Sequence, residues 1–246
     1  MIIDCHTHLF GTWMNLKGVA PQDFVARMDR LDIAKACVFT LKGFFDAQGC
    51  NDALAAQCRP YRGRLIPFCT VNPHHGQAAL IELRRAVEKL GMKGLKLHPW
   101  LQAFPMNHEW FLRLVEETVR LDVPMLLHSA SPPYCTPAQI ANVARKYPRA
   151  RFILGEAGAK DFWLEAAHCA AKYPNIHLCI GITPAEGLEF MAHRVPIAQL
   201  LFGSDLGFST EADVRVQIDK VRRMDLSRED EERVFSGNIL SLVDFK

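Results

Sequence analysis

Met1-Ile2-Ile3-Asp4-Cys5-His6-Thr7-His8 opens the chain. A short apolar run leading into His-Thr-His reads as a β-strand. Successive strand side chains point to opposite faces, so His6 and His8 lie on the same one. Two imidazoles one pleat apart can bind a single divalent ion, and neutral imidazole suits zinc, iron, nickel or manganese. An isolated pair of this kind also reads as two hydrogen-bonded histidines. The same residues bear on the fold. An open doubly wound sheet more often carries a Gly-rich phosphate loop after its first strand, and here that place is taken by His-Thr-His.

Seven further apolar runs follow with an even beat: Ala36–Thr40, Leu65–Val71, Gly94–His98, Pro124–His128, Arg151–Gly155, Asn175–Ile180 and Leu200–Ser204. Their starts lie about 25 to 35 residues apart, which leaves room for one helix in each gap. Several are hydrophobic throughout, as expected for strands of a parallel sheet covered on both faces. The gaps carry helix signals. Gln77 to Leu90 places Leu80, Leu83, Val87 and Leu90 on one face, with Gly91 as a stop. Thr136-Pro137-Ala138-Gln139 reads as a capping box with Pro at the first helical position. Thr210 with Asp213, and Ser227 with Asp230, begin two more helices, the last broken near Gly237. Strand and helix alternating eight times predict an α/β protein, a single (β/α)8 TIM barrel spanning residues 1–246 as one domain.

The chain has 246 residues, 49% hydrophobic and 23% charged, the balance of a globular protein. A formal net charge of +2 without runs of like charge gives no nucleic-acid or membrane surface. No apolar stretch reaches membrane-spanning length and no signal peptide is evident, so a cytoplasmic protein is expected. The eight cysteines form no C-x-x-C pair and are expected to be free thiols, mostly buried. Homo-oligomerisation is compatible with the composition.

In a barrel, function belongs at the C-terminal ends of the strands. The polar residues there are His6, His8, Lys96, His98, His128, Glu156 and Asp205, each closing an apolar run. His128 and Asp205 are candidate ligands, with strand-end hydrogen bonding and turn capping as the structural alternatives. Lys96 is either a site residue or a partner of Glu156. His98, ahead of Pro99, is expected to point away from the cavity. Glu156 needs a metal or a cationic partner if buried, the alternative being a rim pair with Lys160. His74, His75, His108, His168, His177 and His193 read as loop or helix-surface residues, with lining of the mouth as the alternative for His74 and His75, which follow the third strand.

The ordered set DCHTHL (4–9), GLKLHP (94–99), MLLHSA (125–130), LLFGSD (200–205) and GNILSLV (237–243) resembles the amidohydrolase superfamily, in particular its amidohydrolase-related branch of metal-dependent hydrolases, lactonases and nonoxidative decarboxylases. The resemblance implies a barrel with a divalent ion, usually Zn2+ and in some relatives Mn2+, held by His6, His8, His128 and Asp205. Relatives commonly end the sixth strand in a His-x-Gly motif, where this chain reads Gly155-Glu156-Ala157-Gly158. An ionised glutamate can accept a proton or bind a metal but cannot donate a hydrogen bond.

The leading expectation is hydrolysis of a C–O or C–N bond in a small, carboxylate-bearing amide, lactone or ester. The ion would activate water, Asp205 would carry the proton, and Glu156 would position the water. Lys17, Lys42 and Lys96 are candidates to hold the carboxylate, with Trp13, Phe44 and Trp100 as apolar walls. The alternative is metal-dependent nonoxidative decarboxylation of an aromatic or enol acid, which uses the same ligands. Phosphodiester cleavage fits less well, since the strand-4 glutamate of barrel nucleases is absent. A degenerate barrel serving interaction is opposed by four retained ligands.

Overall fold

The computed structural model describes residues 1–9, 12, 13 and 16–245, and of Thr12, Trp13 and Leu16 the backbone only. Eight parallel strands alternate with helices: β1 (Ile2–His8), β2 (Ile33–Phe39), β3 (Leu65–Pro67), β4 (Leu95–Leu97), β5 (Met125–Leu127), β6 (Phe152–Leu154), β7 (Ile176–Cys179) and β8 (Leu200–Leu201). Strands β1 to β3 form one parallel sheet and β4 to β8 another. Single bridges close them into a barrel, Cys69 with Leu95 on one seam and Thr7 with Leu206 on the other. The expected (β/α)8 architecture is therefore present, with regular pairing interrupted at two seams. A short antiparallel excursion, Thr12–Trp13 with Leu16–Lys17, follows β1.

The outer helices follow the sequence signals. Gln77–Glu88 buries Leu80 and Leu83, and Gly91 after it sits at φ 71°, a left-handed conformation that costs glycine little. Pro137–Lys146 and Glu211–Arg222 both start in reciprocal capping boxes, on Thr136 with Gln139 and on Thr210 with Asp213. The break near Gly237 is a π-helical stretch, Arg233–Gly237, between Arg228–Glu232 and Asn238–Leu242.

Side-chain parity divides the core in two. Ile3, Cys5, Cys37, Phe39, Ile66, Phe68, Leu126, Ile153, Cys179 and Leu201 pack together as one buried cluster, the barrel interior. Their strand neighbours Ile2, Val38, Leu65, Leu95, Leu97, Leu127 and Leu154 belong to a second cluster packed under the helices. In β1 the phase changes: the register with β2 is irregular between Asp4 and Thr7. A bulge of this kind re-aims the residues after it, so the inward series Ile3 and Cys5 continues as His6 and His8. All eight cysteines are free, six of them buried. No described helix is long and apolar enough to cross a membrane.

His177 departs from its surface assignment. It lies within β7, 8% exposed, with a buried Nδ1 that has no hydrogen-bond partner among the described residues. Burial pushes its pKa down from 6.5 to about 4. Between those values the unfolded chain binds a proton that the folded chain refuses, so stability falls as pH drops through this window. The expected loss is about 3 kcal/mol. His177→Leu removes this contribution. Urea unfolding at pH 7 and pH 4.5 should show a smaller acid loss in the variant than in the wild type, and equal losses would refute it.

Candidate metal centre

The inward residues at the tops of the strands converge on the barrel axis. His8 Nε2 lies 2.8 Å and His6 Nε2 3.6 Å from Asp205 Oδ1. Among the described residues, His6, His8 and Asp205 are the one group of three or more such side chains whose donor atoms lie within 4.8 Å of one another. Two donors about 2.1 Å from a tetrahedral ion stand about 3.4 Å apart, so this spacing fits a divalent cation. The tautomer of His6 fits as well. Its Nδ1 is 2.5 Å from the Gly155 carbonyl oxygen and must donate to it, so Nε2 carries the lone pair and turns it toward Asp205 and the Lys96 amine. Metal-binding histidines characteristically donate their other N–H to a carbonyl or carboxylate. Burial, aided by the Lys96 charge, lowers the His6 pKa to about 3 and keeps the imidazole neutral.

The backbone around these donors is shaped for them. Asp205 adopts φ 61°, a left-handed conformation that aspartate tolerates better than most residues. Its amide donates to the His6 carbonyl at 2.9 Å, and its own carbonyl accepts from Phe208 and Ser209. Burial would raise the Asp205 carboxyl, but His8 outweighs it and holds the pKa at about 2. Asp4, which the sequence reading passed over, braces the arrangement. Fully buried, it accepts from the Ser204 amide at 3.0 Å, the Ser204 hydroxyl at 2.5 Å and the His6 amide at 3.2 Å. Desolvation nevertheless lifts its pKa to about 7. A carboxylate closing an apolar run two residues before a His-x-His is the signal for this role.

Small residues leave space for the rings. A Cβ on Gly155 would lie 2.8 Å from His6 Cε1, and one on Gly203 2.9 Å from His6 Cβ. Gly155→Ala is expected to tilt the His6 ring and weaken divalent-ion affinity at least about tenfold, or 1.4 kcal/mol, with the fold retained. Competition with a chromogenic chelator measures this, and unchanged affinity would show that the ring position does not matter.

Glu156 and His128 sit beside the three donors. His128 Nδ1 is 3.0 Å from Glu156 Oε1, and His128 Nε2 is 2.6 Å from Ser131 Oγ. Both ring nitrogens are thus engaged away from Asp205. The other Glu156 oxygen accepts from the Ser129 amide at 3.1 Å, and Oε1 lies 3.6 Å from His6 Nε2. Burial alone would raise the Glu156 carboxyl, but His128 and Lys96 hold it well below its ordinary value. Among the described residues its side-chain partners are His128, His6 and the Ser129 amide, and Lys160 forms no ion pair with it. Lys96 is buried, with Nζ 3.2 Å from His6 Nε2 and 4.6 Å from the centre of the Phe39 ring. Burial lowers its pKa while Glu156 and Asp205 support the charged form.

His98 does not turn away from the cavity. Residues 96 and 98 are two apart and so share a face, and the His98 ring stacks on His128 with centroids 3.9 Å apart and planes at 12°. Phe44 and Trp100 meet it at 6.2 and 6.5 Å. Lys17 and Lys42 are exposed. The Trp13 side chain lies outside the described residues.

A family profile described as Amidohydrolase matches residues 3–245. Among solved structures, the chain is similar to 5-carboxyvanillate decarboxylase from Sphingomonas paucimobilis, at 14% identity over 98% of both chains with a TM-score of 0.79. It is also similar to dihydroxybenzoic acid decarboxylase from Polaromonas with bound manganese, at 17% identity over 98% of this chain and 96% of that one, TM-score 0.74. A third is 4-oxalomesaconate hydratase from Rhodopseudomonas palustris, at 15% identity over 100% and 96% of the two chains, TM-score 0.70.

Proposed function

The chain belongs to the amidohydrolase family, and we propose that within it the protein is a metal-dependent nonoxidative decarboxylase of a small aromatic or enol carboxylic acid. The carrying observation is the Glu156–His128 pair beside the three-donor site. A decarboxylase must deliver a proton to carbon as carbon dioxide leaves. A histidine held by a buried carboxylate beside the substrate's place is a source for that proton. Both Glu156 oxygens are already occupied, by His128 and by the Ser129 amide, which argues against a free base for activating water. The two similar decarboxylases support the same reading.

In this proposal His6, His8 and Asp205 hold one divalent ion, zinc or manganese, and His128 flanks it. The bound ion supplies Lewis acidity toward a substrate oxygen. Lys96, the buried cation nearest these donors, attracts the acid's carboxylate into the mouth. Glu156 fixes the His128 ring through its 3.0 Å contact with Nδ1. The C–C bond to the carboxylate breaks, carbon dioxide departs, and the electron pair left on carbon takes the proton from His128 Nε2, shared in the resting site with Ser131 Oγ. His128 ends neutral and recovers its proton from solvent.

A hydrolytic reading is favoured by one observation: the Asp205 carboxylate is 29% exposed, the most open of the site's acids, and is placed to take a proton from water. Incubation of the metal-loaded enzyme with hydroxylated aromatic acids, lactones and amides in 18O-labelled water separates the two. Carbon dioxide release with one solvent proton gained on carbon is the expected result. Incorporation of 18O into a product carboxylate, without carbon dioxide, would replace the proposal with hydrolysis.

A further inference from the structure

One polar group at the mouth is unassigned by this chemistry. His98 continues the inward face of β4 one pleat above Lys96, about 7 Å further along the strand. Its ring is fixed on three sides. It stacks face to face on His128 at 3.9 Å, Phe44 and Trp100 flank it, and its Nδ1 accepts from the Leu101 amide at 3.4 Å. The His98 amide is also tied down, donating to Gln102 Oε1 at 2.9 Å. Because Nδ1 accepts, the proton of the neutral ring resides on Nε2. Among the described residues, Nε2–H has no hydrogen-bond partner, and the ring is partly exposed.

A fixed, neutral N–H donor beside a buried ammonium divides the recognition of an acid into two tasks. The charged carboxylate goes to Lys96, and an uncharged acceptor suits the imidazole. We propose that His98 is a specificity-determining residue whose Nε2–H donates to a hydroxyl or carbonyl oxygen on the body of the substrate, so that the site selects oxygenated carboxylic acids over plain ones. This rests on the decarboxylase reading for the presence of an acid in the mouth, but it concerns binding rather than bond breaking. A site built to hydrogen-bond an oxygen discriminates strongly against an analogue lacking it.

The test uses full-length, metal-loaded protein and two probes, 2,6-dihydroxybenzoate and benzoate, with affinities read by calorimetry. The wild type is expected to bind the hydroxylated acid at least about tenfold more tightly. His98→Phe keeps a flat ring against His128 but removes the donor. It should lose that preference while binding benzoate within about twofold of wild type, and His98→Gln, which restores a donor, should regain part of it. On any acid that is turned over, His98→Phe should raise KM far more than it lowers kcat. Equal binding of the two probes by wild type, binding of neither, or an equal loss for both in His98→Phe would overturn the proposal. Preference lost in the variant, in a protein that releases no carbon dioxide, would leave His98 in its role and remove the decarboxylase reading instead.

Discussion

Alanine at His8 is expected to strip the protein of its divalent ion. Purified wild-type protein should carry close to one equivalent by elemental analysis, and His6→Ala and His8→Ala each less than about a fifth of that. Three donors converge here with spacings that suit one cation, and removing one leaves two ligands, too few for the usual coordination shell. The loss is compounded locally. His8 is the nearest partner of Asp205 and the main reason its carboxyl stays ionised despite burial. Without it the carboxylate loses the partner that lies 2.8 Å from Oδ1. His75, exposed at the end of the 3-10 turn Pro73–His75 after β3, provides the control, and His75→Ala should keep a full equivalent. Retention of full metal by both site variants would remove these ligands from the account.

The second large effect concerns Glu156. Glu156→Gln preserves shape and keeps an acceptor for the Ser129 amide, but removes the charge that faces His128 and lies 3.6 Å from His6. Turnover is expected to fall about a hundredfold, close to 2.7 kcal/mol of barrier, with metal content unchanged. The charge faces His128 Nδ1 at 3.0 Å, so its loss unseats the proposed proton donor and leaves the three metal donors in place. Lys160→Ala is the informative contrast. A rim pair between Glu156 and Lys160 would make the two variants behave alike, whereas the contacts of Glu156 are with His128 and Ser129, and Lys160→Ala should retain wild-type turnover. Equal rates for Glu156→Gln and wild type would reduce Glu156 to scaffolding.

Much of the architecture could be read from residues 1–246 because a parallel barrel repeats one simple rule. Each strand must be apolar on both faces, and each helix must start and stop within a short gap. Runs such as Met125-Leu126-Leu127 and Phe152-Ile153-Leu154 therefore announce themselves, as do the caps at Thr136 and Thr210. The polar residues that end these runs mark the mouth for the same reason. Less legible were features that depend on phase and on partners distant in sequence. The irregularity between Asp4 and Thr7 leaves no mark in the pattern of residue types, yet it hands the inward face from Cys5 to His6. His98 shares the inward face with Lys96 by the period of two, although the Pro99 that follows suggests a turn away from the cavity. The pairing of His128 with Glu156 joins residues 28 apart on neighbouring strands, and only the β5–β6 register brings them together. His177 looked like a surface residue because a single polar letter in Asn175–Ile180 does not say which side of a strand faces a helix.

The central claim is a single ion on His6, His8 and Asp205 with His128 held outside its shell by Glu156. An anomalous-difference map of a crystal grown without added metal, recorded on both sides of the zinc and manganese edges, tests it most directly. One peak is expected within bonding distance of His6 Nε2, His8 Nε2 and Asp205 Oδ1, with His128 Nδ1 still on Glu156. No peak, a second peak, or one bonded to His128 would contradict it.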